Sequence, residues 1–269
     1  MSRKILGLDI NDNAVSAVLV RGGIKGNRIE DHRHIPLSMD QDSESLSMAL
    51  ETIAAEMDLE GATCIASLPA SFASYRNMEA PFKEKKKLRQ ILPFELESIL
   101  PYPPQDVIID FNVLDGMRDT EQHFAFTAAI QKDKVRSYLD LLNSHGFEPD
   151  VLTIGGYALA QSMATYLNDN ANRLLICIEP HRATLLLLVG GNICLVRSSR
   201  VQLSSEVGVD HFCAVVHQTI AGFQKNTGLD IEIQEVVLTG SALEDSHVEQ
   251  SIREDLGFPS RTMDLIALS

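Results

Sequence analysis

The N-terminal part of the chain alternates between short apolar runs and polar turns, which predicts a small mixed sheet. Residues 4–10 and 14–21 are apolar runs of strand length, and the polar turn Asn11-Asp12-Asn13 between them predicts a hairpin. A third strand is expected at 28–37, a helix with apolar residues at helical spacing at 43–57, and a buried strand at 62–68. The predicted order is therefore strand, strand, strand, helix, strand.

A different pattern begins after residue 72. The spacing of Leu88, Leu92 and Leu96 predicts a helix over 83–100, and Pro93 is expected to bend it because proline removes one N–H donor. The remaining segments predict a strand at 75–79, an alternating antiparallel pair at 107–114 and 123–130 joined by a polar turn, and a helix from Asp133 closed by Gly146. Together these elements predict a small α/β unit inserted into the first part of the chain.

The opening pattern recurs in the second half of the chain. After a strand at 150–154 and a helix at 155–167, the sequence predicts strands at 174–178, 184–189 and 193–197, a long helix at 205–226, a strand at 236–240 and a helix at 247–256. Two copies of one β-β-β-α-β-α plan are stronger evidence of architecture than a single motif. The predicted domains are a first half (1–72 and 148–170), an inserted subdomain (73–147) and a second half (171–269).

Composition and charge narrow the functional classes. The chain carries 23 Lys and Arg against 37 Asp and Glu, a formal net charge of −14, which argues against general binding to a nucleic-acid backbone. The four cysteines form no Cys-x-x-Cys pair and three lie in apolar runs, so buried free thiols in a reducing, cytoplasmic compartment are expected. The longest uncharged apolar run, 183–196, is shorter than the ~20 residues that span a bilayer.

Four stretches carry a resemblance to a known family. They are Gly7-Leu8-Asp9-Ile10 followed by Ala14-Val15, the proline-rich segment from Arg89 to Pro104 followed by the strand ending at Leu114, the turn His145 to Pro149 before a strand, and Val236 to Gly240. With the duplicated plan, they resemble the actin-like ATPase superfamily. Within it they are most similar to the type IV pilus assembly protein PilM and the cytoplasmic domain of the type II secretion protein GspL.

The resemblance implies fold, partners and location. The fold is expected to be α/β with mixed sheets, the actin-like ATPase (ribonuclease H-like) fold. The chain is expected at the inner face of the bacterial inner membrane, where it docks inner-membrane platform proteins and, in type II secretion, the secretion ATPase. A homodimer is compatible with this interpretation, whereas a nucleic-acid partner is not expected. A transmembrane segment after Ser269 would favour the secretion version over the pilus version.

The loops that bind ATP in this superfamily are altered here. The first has the form Asp-x-Gly, and this sequence retains Asp9 but places Asn11 at the glycine and adds the negative charge of Asp12 where a phosphate would lie. In the second loop, Pro180 removes a donor N–H between Glu179 and Arg182. Glu179 could hold magnesium through water and Arg182 could reach a phosphate, but solvated turn residues are the favoured interpretation.

The third loop, around Thr239-Gly240, keeps one glycine and is the least altered. We therefore expect no catalytic residues, no metal ligands and no required cofactor, because metal ligands, a phosphate cradle and a compensating cation are all needed for phosphoryl transfer. If residual ATP and Mg are bound at all, the expected contacts are Asp9, Asn13, Thr239 and Gly240.

Two further features of the sequence suggest binding sites. His32 and His34 share one face of a predicted strand, and exposed strand residues are favoured over a metal site because no further ligands are evident. The segment 83–89 reverses the overall charge, and two interpretations remain open: a solvated helix start, or a contact with a partner or an anionic membrane. The residues of that contact are Lys83, Lys85, Lys86, Lys87 and Arg89.

The leading hypothesis is a non-catalytic scaffold of a type II secretion or type IV pilus platform. It depends on the duplicated plan, the inserted unit and the altered loops. The alternative is an ATP-binding conformational switch of the pilus assembly type, which Asp9 and Gly240 favour and which Asn11, Asp12 and Pro180 oppose. An actin-like kinase of a small molecule is disfavoured because no catalytic base is evident.

Overall fold

The structure is a computed structural model that describes residues 3–23, 26–38, 43–114, 123–167 and 170–263. The strands, in chain order, are β1 (Arg3–Ile10), β2 (Ala14–Gly23), β3 (Gly26–Pro36), β4 (Thr63–Leu68), β5 (Ala73–Ala80), β6 (Val107–Leu114), β7 (His123–Gln131), β8 (Val151–Ile154), β9 (Arg173–Glu179), β10 (Arg182–Val189), β11 (Asn192–Arg200), β12 (Glu235–Thr239) and β13 (Ser260–Thr262). The helices are α1 (Ser43–Glu56), α2 (Lys85–Glu97), α3 (Lys132–Ser144), α4 (Tyr157–Leu167), α5 (Glu206–Thr227) and α6 (Ser246–Leu256).

The described parts of Met1–Phe72 and Lys132–Gly155 form one compact unit. Its sheet has the order β3-β2-β1-β4-β8, in which β1 is antiparallel to β2 and parallel to β4, and β4 is parallel to β8. Alternate residues of β1, such as Leu6 and Leu8, are buried, as expected for a strand with one core face. The carboxyl ends of three parallel strands therefore lie side by side, which places Asp9 beside the end of β4.

The described parts of Ala73–Gln131 and Gly156–Ser269 form the second compact unit. Its larger sheet has the order β11-β10-β9-β12-β13, in which β9 is antiparallel to β10 and parallel to β12. The first four strands repeat the pairing of β3-β2-β1-β4, so the predicted duplication is confirmed. The chain has the actin-like ATPase fold expected from the sequence.

The second unit also contains the three-stranded antiparallel sheet β5-β7-β6, covered on one face by α2. Leu88 and Leu92 of α2 pack with Phe111 and Ala125, and Leu96 packs with a neighbouring cluster of buried residues on the same sheet. Pro93 lies inside the helix, which is shorter than predicted and runs on past the proline to Glu97. The turn predicted between β6 and β7 lies at 115–122, outside the described residues.

One strand was not predicted. β13 has no apolar run, and its formation depends on parallel pairing with β12, where Ser260 lies opposite Val236. Glu235 of β12 joins this edge to β9 because its carboxylate accepts hydrogen bonds from Arg173 at 2.7 Å and from Arg261 at 2.6 Å. Burial opposes ionisation of Glu235, but the two guanidinium groups outweigh it and lower the pKa.

The grouping into two compact units does not test the predicted three-part division, which stays a prediction. Helix α3 lies in the first unit, where the Tyr138 hydroxyl donates a hydrogen bond to the backbone carbonyl of Ser67 at 2.7 Å. Among the described residues, no helix is both long and apolar enough to cross a membrane.

Candidate functional site

The turn between β1 and β2 is held by the side chain of Asn11. Its Oδ1 atom accepts hydrogen bonds from the backbone N–H groups of Asn13 and Ala14, both at 2.9 Å, and the Asn11 N–H donates to the Ala14 carbonyl at 3.1 Å. A phosphate-binding turn presents free backbone N–H groups to the anion. Here the asparagine that replaces the expected glycine uses two of those donors itself, so the turn is a closed Asx turn.

Asp9 belongs to a small polar network at the carboxyl ends of β1 and β4. The Ser67 hydroxyl donates a hydrogen bond to Asp9 Oδ1, and Ser67 lies directly opposite Asp9 in the parallel pairing of the two strands. Behind Ser67 lies Tyr138, whose pKa is raised by its burial and, to a smaller extent, by the negative charge of Asp9. One oxygen of the only retained loop carboxylate is therefore already hydrogen-bonded within the fold.

The second loop is a two-residue turn, Pro180-His181, between β9 and β10. Glu179 precedes the turn, and its carboxylate accepts a hydrogen bond from the hydroxyl of Ser241. Since proline has no N–H and the turn is minimal, this loop has little backbone to wrap around a phosphate. The connection is a tight hairpin with a carboxylate anchored at its start.

Gly240 occupies a position where only glycine fits. Its φ of +116° lies in a region that other residues rarely adopt, and a Cβ atom there would lie 2.7 Å from both the backbone N and the backbone C of Ile178 and closer still to its carbonyl oxygen. The preceding residue, Thr239, is buried at the end of β12. The packing of β12 against β9 accounts for this glycine without a nucleotide.

Each of the two sheets contains a carboxylate–serine hydrogen bond. Asp9 pairs with Ser67 across β1 and β4. In the second sheet the last register pair of β9 and β12 is Cys177 opposite Thr239. Glu179 lies two residues after Cys177, Ser241 lies two residues after Thr239, and these two side chains form the hydrogen bond. Each sheet thus has a carboxylate–serine contact near the carboxyl ends of two parallel strands, and the two serines are functional candidates that reasoning from the sequence missed.

The structure also places the other predicted site residues. Asn13 lies in the hairpin turn that follows Asp9 and β1, and its Nδ2 atom is buried without a hydrogen-bond partner in the described part of the chain. His34 pairs through Nδ1 with the Ser16 hydroxyl at 2.9 Å, and within the described ranges no group of three or more His, Cys, Asp or Glu side chains is arranged to hold a metal ion. The basic residues of 83–89 lie at the start of α2 and are exposed.

Comparison with known proteins identifies the family. The family described as "Type IV pilus assembly protein PilM" matches residues 7–186, which is more than half of the 269 residues. This chain belongs to the PilM family. None of the curated proteins matches the sequence.

Solved structures agree with this assignment at the level of fold. A structure of a PilM–PilN type IV pilus biogenesis complex is 17% identical with a TM-score of 0.77, covering 98% of this PilM-family chain and 89% of that chain. The cytoplasmic domain of EpsL, an inner-membrane component of the type II secretion system of Vibrio cholerae, is 14% identical with a TM-score of 0.58, covering 98% and 92%. A Bacteroides thetaiotaomicron protein with an actin-like ATPase fold is 10% identical with a TM-score of 0.57, covering 97% and 91%.

The Asx turn of this PilM-family chain supports a first prediction. Replacing Asn11 with alanine removes the acceptor of two backbone hydrogen bonds, so we expect the free energy of unfolding to fall by about 1–2 kcal/mol. Asn11→Asp keeps an acceptor at the same place and serves as the matched control, with a smaller loss. Urea unfolding of the three proteins measures both changes. Equal stability of the alanine variant and the native chain would show that the side chain does not hold the turn.

Proposed function

We propose that this chain is a non-catalytic docking scaffold of the inner-membrane assembly platform of a type IV pilus or type II secretion system, at the inner face of the bacterial inner membrane. The observation that carries the proposal is the closed Asx turn in a PilM-family chain. Asn11 occupies the backbone donors of the first loop, at the place where an ATPase of this fold would hold phosphate.

The second unit supports the same conclusion. Phosphoryl transfer needs a phosphate cradle, a metal ion and compensation of the charge that develops on the transferred group. Pro180 shortens and stiffens the second loop, and Glu179 is anchored to Ser241. Gly240 is explained by its contact with Ile178. Asp9, Glu179 and Gly240, which suggest a nucleotide site in the sequence, therefore each have a structural role inside their own unit.

The partners follow from the relatives. One similar structure is a PilM–PilN complex, and another is the cytoplasmic domain of an inner-membrane component of a secretion system. We infer that this chain docks an inner-membrane platform protein and, in a secretion system, the secretion ATPase. Such docking needs a folded surface and no turnover, so the fold can persist after the phosphate loops have changed.

A second candidate function is an ATP-binding switch, and one observation favours it. Asn13 Nδ2 is a buried donor without a hydrogen-bond partner among the described residues, and it lies in the turn that follows the strand of Asp9. Buried donors are normally satisfied, so a bound ligand would give this amide the acceptor that it lacks. The two functions therefore differ in whether Mg·ATP binds at this turn.

Calorimetric titration with Mg·ATP separates the two functions. If the chain is a scaffold, we expect Mg·ATP to give no saturable binding heat with the native chain, and we expect the same result with the Asp9→Ala variant. Coexpression with the platform proteins of the same cell is expected to give a complex that co-elutes in nucleotide-free buffer for both the native chain and Asp9→Ala. Saturable micromolar binding that Asp9→Ala abolishes would refute the scaffold-only proposal and support the switch. A complex that forms only with Mg·ATP would do the same.

A further inference from the structure

The start of α2 carries a compact positive surface on an acidic protein. We call Lys83, Lys85, Lys86, Lys87 and Arg89 the basic surface. Glu84 is the one acidic residue within 83–89, so this segment has five positive charges and one negative charge, whereas the chain as a whole has a net charge of −14. All five cationic side chains are exposed, and Leu88 between them is fully buried against the three-stranded sheet.

The stability of the helix does not explain this clustering. Cations in the first turn oppose the helix dipole, and the N-cap residue Glu84 makes no side-chain capping hydrogen bond. Lys87 forms an ion pair with Glu84 at 3.0 Å and Arg89 forms one with Asp110 at 3.9 Å, and all four side chains are more than half exposed. Exposed pairs of this kind contribute little to folding. These exposed ion pairs leave Lys87 and Arg89 accessible to an external partner.

Two exposed aromatic residues lie next to the basic surface. Phe82 is 37% exposed, and the Lys87 ammonium lies 5.3 Å from the centre of its ring. Phe94 is 75% exposed and follows Lys87 by seven residues, which is two helical turns, so the two side chains lie on the same side of α2. An exposed phenylalanine beside lysines on the solvent face of an amphipathic helix is the pattern of a peripheral membrane contact.

We propose that the basic surface of α2 binds the surface of a bilayer that contains anionic phospholipids. The ammonium and guanidinium groups meet the headgroup phosphates, and Phe82 and Phe94 enter the boundary between headgroups and acyl chains. Glu95 and Glu97 lie towards the other end of the helix, so the positive charge is concentrated at its N-terminal end. The exposed rings favour a bilayer over an acidic polypeptide, which would use the charges alone. This inference does not depend on the proposed docking function.

The test is sedimentation with vesicles of phosphatidylcholine, with and without phosphatidylglycerol. We expect binding to be at least ~tenfold stronger to the anionic vesicles and to weaken as salt is raised. The triple variant Lys85→Glu, Lys86→Glu, Lys87→Glu is expected to lose at least ~tenfold in that binding. The matched control reverses the charge of three exposed residues elsewhere, Arg28→Glu, Arg136→Glu and Lys225→Glu, and is expected to retain it.

Further arms distinguish a bilayer from other anions. Phe94→Ser is expected to weaken binding to anionic vesicles several-fold, and inorganic phosphate or soluble glycerol phosphate is expected not to compete. Equal binding to both kinds of vesicle, or the same loss in the control triple variant, would overturn the proposal. So would tight binding of polyglutamate that the lysine variant loses while its vesicle binding is unchanged, because that result assigns the surface to an acidic polypeptide. Circular dichroism and urea unfolding verify that each variant is folded.

Discussion

Replacing Gly240 with alanine is expected to destabilise the protein by more than about 4 kcal/mol. The added methyl group would overlap the Ile178 carbonyl and would lie 2.7 Å from the Ile178 backbone N, while φ at +116° strains any residue with a Cβ. Ile178 belongs to the central strand β9, so the clash cannot be relieved by moving a side chain. Urea unfolding followed by circular dichroism measures the loss, and failure to obtain folded protein is the extreme form of the same result.

Gly257→Ala is the matched control for Gly240→Ala. Gly257 closes α6 with a φ of +66°, and no atom lies within 4 Å of the position that its Cβ would take. In Gly257→Ala the only expected cost is therefore that of placing alanine in the left-handed backbone conformation, about 1–2 kcal/mol of unfolding free energy. If the two alanine variants lost the same stability, the contact with Ile178 would not be the reason for Gly240. A structural requirement would then fail to explain this glycine, and a nucleotide contact would gain support.

The second large effect is expected in α5, where two glycines have opposite surroundings. A Cβ at Gly208 would overlap the Gln202 carbonyl oxygen and would lie 3.0 Å from the Gln202 carbonyl carbon. Since that neighbour is backbone, we expect Gly208→Ala to cost about 2–4 kcal/mol through displacement of the first turn and the segment before it. Thermal or urea unfolding measures the loss.

Gly222 provides the control within the same helix. No atom lies within 4 Å of its Cβ position, and it lies in the helix interior. Gly222→Ala is therefore expected to stabilise the protein by about 0.5–1 kcal/mol, because alanine loses less conformational entropy on folding. If both substitutions stabilised the protein, helix propensity rather than the close approach to Gln202 would govern the effect.

Gly240 shows that a residue retained from a nucleotide-binding loop can have a purely structural role. In the sequence, Gly240 resembles a remnant of an adenosine-binding loop. In the structure it is required by the close approach of its backbone to Ile178 of the neighbouring strand β9, independently of any ligand. Asp9 and Glu179 likewise hold serine hydroxyls at the ends of parallel strands. A retained residue in an altered site is therefore not by itself evidence of a retained reaction.

The sequence by itself determined the elements that depend on local periodicity. Strand alternation and helical spacing predicted the duplicated plan, and α5 was expected at 205–226 and is found at Glu206–Thr227. The turn at Asn11 was also predictable, since asparagine bonds to its own nearby backbone. The prolines that follow α2 predicted the end of this helix to within a few residues.

Only the tertiary structure decided the contacts between segments that are distant in the sequence. The partnership of Asp9 with Ser67, and of Glu179 with Ser241, depends on the parallel pairing of strands separated by a helix, and no local pattern encodes which residues become opposite. β13 forms only because β12 offers a free edge and Glu235 attracts Arg261. The hydrophobic pattern of an element depends on residues that are neighbours along the chain, so the sequence predicted the fold. Strand register and close contacts between distant segments depend on tertiary packing, so only the structure showed the roles of the polar residues.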